Sequence, residues 1–326
     1  MRKFGLSGKS IVPLISGTAC AIPAIMATRN IENWKERLIT ILVTPFTTCS
    51  ARLPVYAIII ALVIPDERVF GIINMQGLTL MLLYLLGFGM AIFSAYILNT
   101  ILKIKGKTYF VVEMPNYKLP MFKNVAINVI EKTKAFIFGA GKIILAISIV
   151  LWFLASYGPG DKFRNAEKIV LEKNLEKPLN NAELQNAIAS QKLENSYIGL
   201  MGKTIEPVIS PLGYDWKIGV AIISSFAARE VFVGTLATIY SVGDSDNDNT
   251  IKNKMQAEIN PETGQKIFNF ASGISLLLFY AFAMQCASTI AITKKETNSW
   301  KWPLGQLIFM SGLAYVVALI AFQILK

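Results

Sequence analysis

Three cysteines, Cys20, Cys49 and Cys286, hold most of the chemistry this sequence offers. Each has small or hydroxylated neighbours: Gly17, Thr18 and Ala19; Thr47, Thr48 and Ser50; Ala287, Ser288 and Thr289. Small residues let backbones approach and leave carbonyls open. Sulfur combined with carbonyl and hydroxyl oxygen suits a borderline-soft divalent metal such as Fe(II). A single buried Cys is ordinarily a packing residue; three in equivalent settings make a ligand or pathway set. Met26 and Met284 could add thioether sulfur, although Met in an apolar helix usually packs a core. Histidine is absent, so any metal site must use sulfur and oxygen.

Arg52, Arg229 and Glu230 form the second set, because they lie within apolar sequence. A charge in the hydrocarbon core costs about 2.5–3.5 kcal/mol on insertion scales, so each needs a counter-charge or an aqueous path. The functional reading puts them along such a path, paired across the chain or facing substrate. The structural one makes them ion pairs or snorkelling side chains. Gly5-Leu6-Ser7-Gly8-Lys9-Ser10 imitates a phosphate-binding loop but has two residues between its glycines instead of four, and no strand precedes it. Without a His to serve a nucleophile, an enzyme is a poor reading.

The elements that must position these residues are membrane helices. Hydrophobic residues make up 53% of the 326 and charged residues 16%, well below the roughly 25% charge of soluble domains. Apolar stretches run over 11–28, 38–64, 69–102, 135–155, 218–240, 270–293 and 304–325, most of them near the roughly 20 residues a crossing needs. Pro23 interrupts the first. Pro45, Cys49, Ser50, Arg52 and Pro54 interrupt the second, so both read as broken or re-entrant helices. The net charge of +11 sits beside the spans and belongs to topology rather than nucleic acid. No cleavable signal peptide is evident, and cysteines within apolar segments do not form a disulfide framework.

Between Lys103 and Lys134 there are seven Lys against two Glu, whereas residues 161–194 are balanced and Asp244, Asp246 and Asp248 make the segment after Ser241 acidic. The first is therefore expected inside and the other two outside, with the basic turns 29–37 and 294–301 also inside. That holds if 205–240 turns back within the membrane, for which Pro207, Pro211 and Gly213 offer the turn. Residues 117–134 read as an amphipathic helix in the inner interface, with Lys meeting lipid head groups, and 161–195 as a small helical hairpin.

The sequence also repeats itself. Cys20-Ala21, Arg29, Trp34 and Lys35 are matched at identical offsets by Cys286-Ala287, Lys295, Trp300 and Lys301, and Ser50-Ala51-Arg52 by Ala227-Ala228-Arg229. Repeated halves with interrupted helices point to a transporter whose site lies between repeats. The expected fold is an all-α integral membrane protein, a polytopic helical bundle with two pseudo-symmetric broken-helix gate repeats. Its expected divisions are a first gate (1–64), transmembrane helices with the amphipathic segment (65–160), an external hairpin (161–203), and a second gate with C-terminal helices (204–326).

Several runs carry a family resemblance: GTACAIPAIMATR (17–29), PFTTCSARLPVY (45–56), SSFAAREVFVGTL (224–236) and ETNSWKW (296–302). They resemble the gate and C-terminal motifs of the ferrous iron transport protein B family, over nearly the whole chain. Thr18 and Ala19 stand where the family more often has an aromatic residue and a glycine. The resemblance implies uptake of Fe(II), as transported substrate, across the bacterial cytoplasmic membrane by a multi-pass permease with no tightly bound cofactor. Cys20 and Cys49 are the implied iron contacts, with Cys286 a further candidate. Gly17, Pro23, Met26, Arg29, Ser50, Arg52, Pro54, Arg229 and Glu230 are the expected gate residues. The family carries an N-terminal GTP-binding domain and further spans before its first gate, and this sequence opens near that gate. GTP would therefore act through a separate domain or partner chain, beside a small accessory protein and a homo-oligomeric partner.

A thiol must release its proton to bind a metal tightly, so uptake is expected to weaken at low pH. One rival is a transporter of nucleosides or other organic solutes with similar gates, which would need amide and carboxylate groups such as Gln285 and Glu230 at mid-membrane. The other is a membrane scaffold that transports nothing without a GTPase partner.

Overall fold

In the computed structural model, residues 4–69, 73–102, 121–159, 161–168, 170–171, 181–239, 266–284 and 286–326 are described. The acidic segment 244–248, Gln285, and most of the Lys-rich segment that starts at Lys103 lie outside them. The described chain is helical apart from a small antiparallel ribbon. In order come α1 (Ile11–Ser16), α2 (Ala21–Ala27), α3 (Trp34–Val43), α4 (Leu53–Val63), β1 (Arg68–Val69), β2 (Ile73–Asn74), α5 (Met75–Ile101), α6 (Phe122–Phe136) and α7 (Lys142–Ser156). Then follow α8 (Asp161–Arg164), α9 (Asn181–Glu194), α10 (Tyr197–Ile209), α11 (Trp216–Ser225), α12 (Val231–Ile239), α13 (Phe270–Phe282), α14 (Ala287–Thr297) and α15 (Lys301–Leu325).

Four helical runs are long and apolar enough to cross a bilayer: Trp34–Val63, Met75–Ile101, Phe270–Thr297 and Lys301–Leu325. This is a multi-pass membrane protein. The run Phe270–Thr297 is mostly buried, whereas α5 and α15 bare much of their apolar surface, with Ile308 72% and Ile324 76% exposed. Aliphatic surface in that quantity is what lipid covers.

Two of the interruptions fall where Pro23 and the run from Pro45 to Pro54 place them. Four apolar stretches divide into half-helices: α1 and α2, α3 and α4, α11 and α12, α13 and α14. Residues 122–136 form a helix, α6, which continues through a π-helical turn at Ile137–Gly141 into α7. The expected turn near Gly213 lies between α10 and α11: a 3-10 turn at Ser210–Leu212 leads to Gly213 at φ +81°. That left-handed backbone, with the Phe322 ring filling the space a Cβ would take, admits glycine readily. Asp215 then caps α11 by accepting from the Ile218 amide at 3.0 Å.

Packing divides the chain into two units, each discontinuous in sequence. The first comprises Met1–Ser50, Leu86–Leu145 and Ala287–Leu307; the second comprises Ala51–Leu85, Ala146–Cys286 and Ile308–Lys326. In the first, Ile22 and Ile25 of α2, Ile41 of α3 and Ile292 of α14 make a buried cluster, with Cys20 and Met26 packed on it. In the second, Ile198, Val220 and Ile239 pack with Leu151, Leu154 and Trp216. There α4 lies against α12 and α13, and Gly273 leaves room for the Val63 side chain.

Candidate functional site

The first break is built by short-range hydrogen bonding that overwinds α1. Thr18 and Ala19 donate their amides to Ile15 and Ser16 at 3.1 Å each, in the 3-10 manner. Cys20 is then extended, at φ −156° and ψ 136°, before α2 begins. In a continuous helix the amide of residue 23 would bond the Ala19 carbonyl, but Pro23 has no N–H. The freed carbonyl accepts instead from the Ser50 hydroxyl at 2.8 Å.

Ser50 belongs to the second break. Pro45 opens a 3-10 turn at Thr44–Phe46, Thr47 is extended, and Cys49 precedes the 3-10 turn Ser50–Arg52 that leads into α4, with Pro54 in its first turn. The two breaks press together at a glycine: a Cβ on Gly17 would lie 2.5 Å from Thr47 Oγ1 and 3.1 Å from the Leu14 carbonyl. The residue before Cys20 is thus bonded to the residue after Cys49. Neither cysteine is in a disulfide, and both are half-buried. Thr44, Thr47 and Thr48 are buried beside them, and the Thr48 hydroxyl has no hydrogen-bond partner among the described residues.

A second junction lies in the other unit. Residues 226–230 separate α11 from α12, and 283–286 separate α13 from α14. Arg229, 6% exposed, donates from Nη2 to the Ala283 carbonyl at 3.2 Å, and its Nη1 has no partner among the described residues. Glu230 is exposed and forms no ion pair among the described residues. Cys286 is half-buried at the same interruption. Arg52 is fully buried at the start of α4. Within each half the structure thus brings the two kinds of repeated motif together: Ser50 to the residue before Cys20, and Arg229 to a carbonyl three residues before Cys286. In the first unit the breaks that carry Cys20 and Cys49 meet through Gly17 against Thr47 and Ser50 against Ala19. Arg52, Arg229, Glu230 and Cys286 belong to the second.

Arg29 is placed elsewhere in the first unit, in the turn that follows α2. Its Nε lies 3.0 Å from both carboxylate oxygens of Glu296, Nη2 lies 2.5 Å from one of them, and Arg37 reaches the other at 2.7 Å. Glu296 thereby ties α2, α3 and α14 together from a buried position. The carboxylate holds the Arg29 guanidinium proton above its usual range. The sequence reading gave Glu296 and Arg37 no role. A lone carboxylate inside the basic turn 294–301 was the available signal.

Among the described residues no three Cys, Asp or Glu side chains converge to hold a metal ion. An ion meeting Cys20 and Cys49 would complete its shell with hydroxyl and carbonyl oxygen from the breaks and with water.

A family model described as nucleoside recognition, the gate family, matches residues 1–63 and 137–300. The model of the ferrous iron transport protein B C terminus matches residues 80–132. The chain is 45% identical over 324 residues to the Fe(2+) transporter FeoB of Leptospira interrogans serovar Lai, covering 99% of this chain and 44% of that protein. With the Fe(2+) transporter FeoB of Leptospira biflexa it is 43% identical, covering 100% of this chain and 44% of that protein. With the Fe(2+) transport protein A/Fe(2+) transporter FeoB fusion protein of Porphyromonas gingivalis it is 35% identical, covering 99% and 38%. The chain spans less than half the length of these relatives. No solved structure matches it. Gate motifs, a C-terminal match and similarity along its whole length show that the chain belongs to the gate family and, within it, to the ferrous iron transport protein B family as a membrane region.

Proposed function

We propose that the chain is the permease core of a ferrous iron uptake system in the bacterial cytoplasmic membrane, a transporter and not an enzyme. The observation that carries this is the junction of the first unit: two half-buried cysteines, neither in a disulfide, at two helix breaks tied by the Ser50 to Ala19 bond. Fe(II) leaving water loses ligands that sulfur and unwound backbone oxygen can replace in turn. A path needs such contacts to be weak enough for release. The two-thiol junction fits passage better than storage. Gly17, Pro23 and Pro54 shape the breaks, Met26 packs on the same isoleucine cluster as Cys20, and Arg52, Arg229 and Glu230 organise the second junction beside Cys286.

The relatives are named as Fe(2+) transporters, which supports iron as the substrate. One relative is fused to a protein named Fe(2+) transport protein A, which supports a small accessory partner. A GTPase domain or chain as the source of control, and assembly with further copies, belong to the same proposal. The description of the gate model favours a nucleoside as the second reading.

Anaerobic uptake of radioactive Fe(II) into proteoliposomes separates these. The chain should admit Fe(II) above empty vesicles, and the Cys20→Ser, Cys49→Ser variant should lose at least about tenfold, equivalent to 1.4 kcal/mol of transient binding. Equal uptake by the variant would remove the thiols from the path. Competition by nucleosides with no Fe(II) uptake would favour the second reading.

A further inference from the structure

We infer that the face of the first unit formed by the turns 28–37 and 294–301 is a binding surface for anionic phospholipid head groups. The inference rests on membrane insertion alone and not on what the chain transports. Two exposed tryptophans mark the surface, Trp34 at 43% and Trp300 at 53% exposure. Trp34 opens α3 and Trp300 immediately precedes α15, so each ring stands where a membrane-crossing run begins, the depth at which interfacial tryptophans anchor.

A cation lies over each ring: Arg37 over Trp34 at 5.8 Å, and Lys294 over Trp300 at 4.2 Å. The rings share one patch, because Arg37 also bonds Glu296, four residues before Trp300. The two turns hold few carboxylates, and two of them are already engaged. Glu296 is enclosed by Arg29 and Arg37, and Glu32 pairs with Lys9 at 2.9 Å. Glu36 sits in the first turn of α3. Lys294, Lys295 and Lys301 are exposed, and no carboxylate pairs with them among the described residues.

The patch thus presents uncompensated ammonium groups around aromatic rings at the level of lipid phosphates. Attraction of this kind is felt within a Debye length of an anionic membrane. Lysine, a flexible point charge, suits a phosphate that diffuses in the plane of the bilayer.

The test uses the full chain in vesicles of phosphatidylcholine with increasing phosphatidylglycerol, one lipid at a time carrying brominated acyl chains, and reads quenching of tryptophan fluorescence. The expected preference for the anionic lipid is about fivefold, falling toward unity in 0.5 M salt, where the Debye length is roughly 4 Å. The Lys294→Gln, Lys295→Gln, Lys301→Gln variant should show no preference while keeping the wild-type far-UV circular dichroism. Trp300→Phe should retain most of the secondary structure and lose the share of the lipid-dependent signal that Trp300 contributes, Trp34 keeping its own. Equal quenching by both lipids in the wild type, as for a patch reserved for an acidic protein segment, would overturn the inference. So would a preference that survives the triple substitution.

Discussion

Glu296 shows how much one side chain can hold together. Its carboxylate is 3% exposed and lies between Arg29 and Arg37, whose side chains are 49% and 23% exposed. Removing one member of a buried ion pair costs about 3–5 kcal/mol, because the remaining charges lose their compensation. Arg29 is half in water, which screens the interaction. Glu296→Gln should therefore fall near the lower end, about 3 kcal/mol, read as a lower melting temperature in detergent. Glu296→Asp, which keeps the charge but shortens the reach, should fall between the two. An unchanged melting temperature in Glu296→Gln would make the triad ornamental. Glu296 holds the Arg29 guanidinium proton above its ordinary range, so its share of the stability is present at all lower pH and is lost only as pH rises through that raised value. Acidification to neutral pH leaves the arginine side of the triad unchanged.

At the scale of elements, much of the fold was legible. Long apolar runs gave the spans, and Pro23, Pro45, Pro54 and Gly213 stand where backbone hydrogen bonds must fail or reverse. Hidden in the sequence was which break meets which. Ser50 and Ala19 are 31 residues apart, and Arg29 and Glu296 are 267 apart. Neither pairing leaves a local periodic trace, since a serine near a cysteine or a glutamate among lysines reads as surface chemistry. The breaks themselves give the next prediction. Ser50→Ala removes one neutral hydrogen bond, about 1 kcal/mol. Gly17→Ala drives a methyl into Thr47 Oγ1 and should cost about 1–3 kcal/mol. Both loosen the same junction, so Cys20 and Cys49, measured in single-cysteine backgrounds, should react faster with a maleimide in either variant. Adding Thr47→Ala to Gly17→Ala removes the closest clash, with the Leu14 carbonyl still at 3.1 Å, and should restore much of the slow rate. Unchanged reactivity in all three would mean that the breaks do not press on one another in the membrane.

For the whole molecule, the distribution of charge and the lengths of the elements together fix an orientation that can be checked. The basic turns 29–37 and 294–301 are tied by Arg29, Arg37 and Glu296, so they share one side of the membrane. The positive-inside rule predicts that this side is cytoplasmic. If Trp34–Val63 and α5 each cross, the β ribbon is expected outside, and 161–195 is expected outside if the helix from 122 to 156, which is not among the four runs long and apolar enough to span, also crosses. With 13 residues, α10 reaches only about 20 Å, short of a hydrocarbon core of roughly 30 Å. It is therefore expected to enter and turn at Gly213, with α11 and α12 returning to the side it came from. Cysteines introduced singly at exposed Glu67, Asn165 and Lys295, with the native three changed to serine, test this. An impermeant maleimide should label positions 67 and 165 in intact cells and position 295 only after the membrane is opened. Labelling of 295 alone in intact cells would invert the chain. Labelling of 67 without 165 would mean that either α5 or the helix from 122 to 156 does not cross, and the re-entrant pair would then have to be an ordinary crossing.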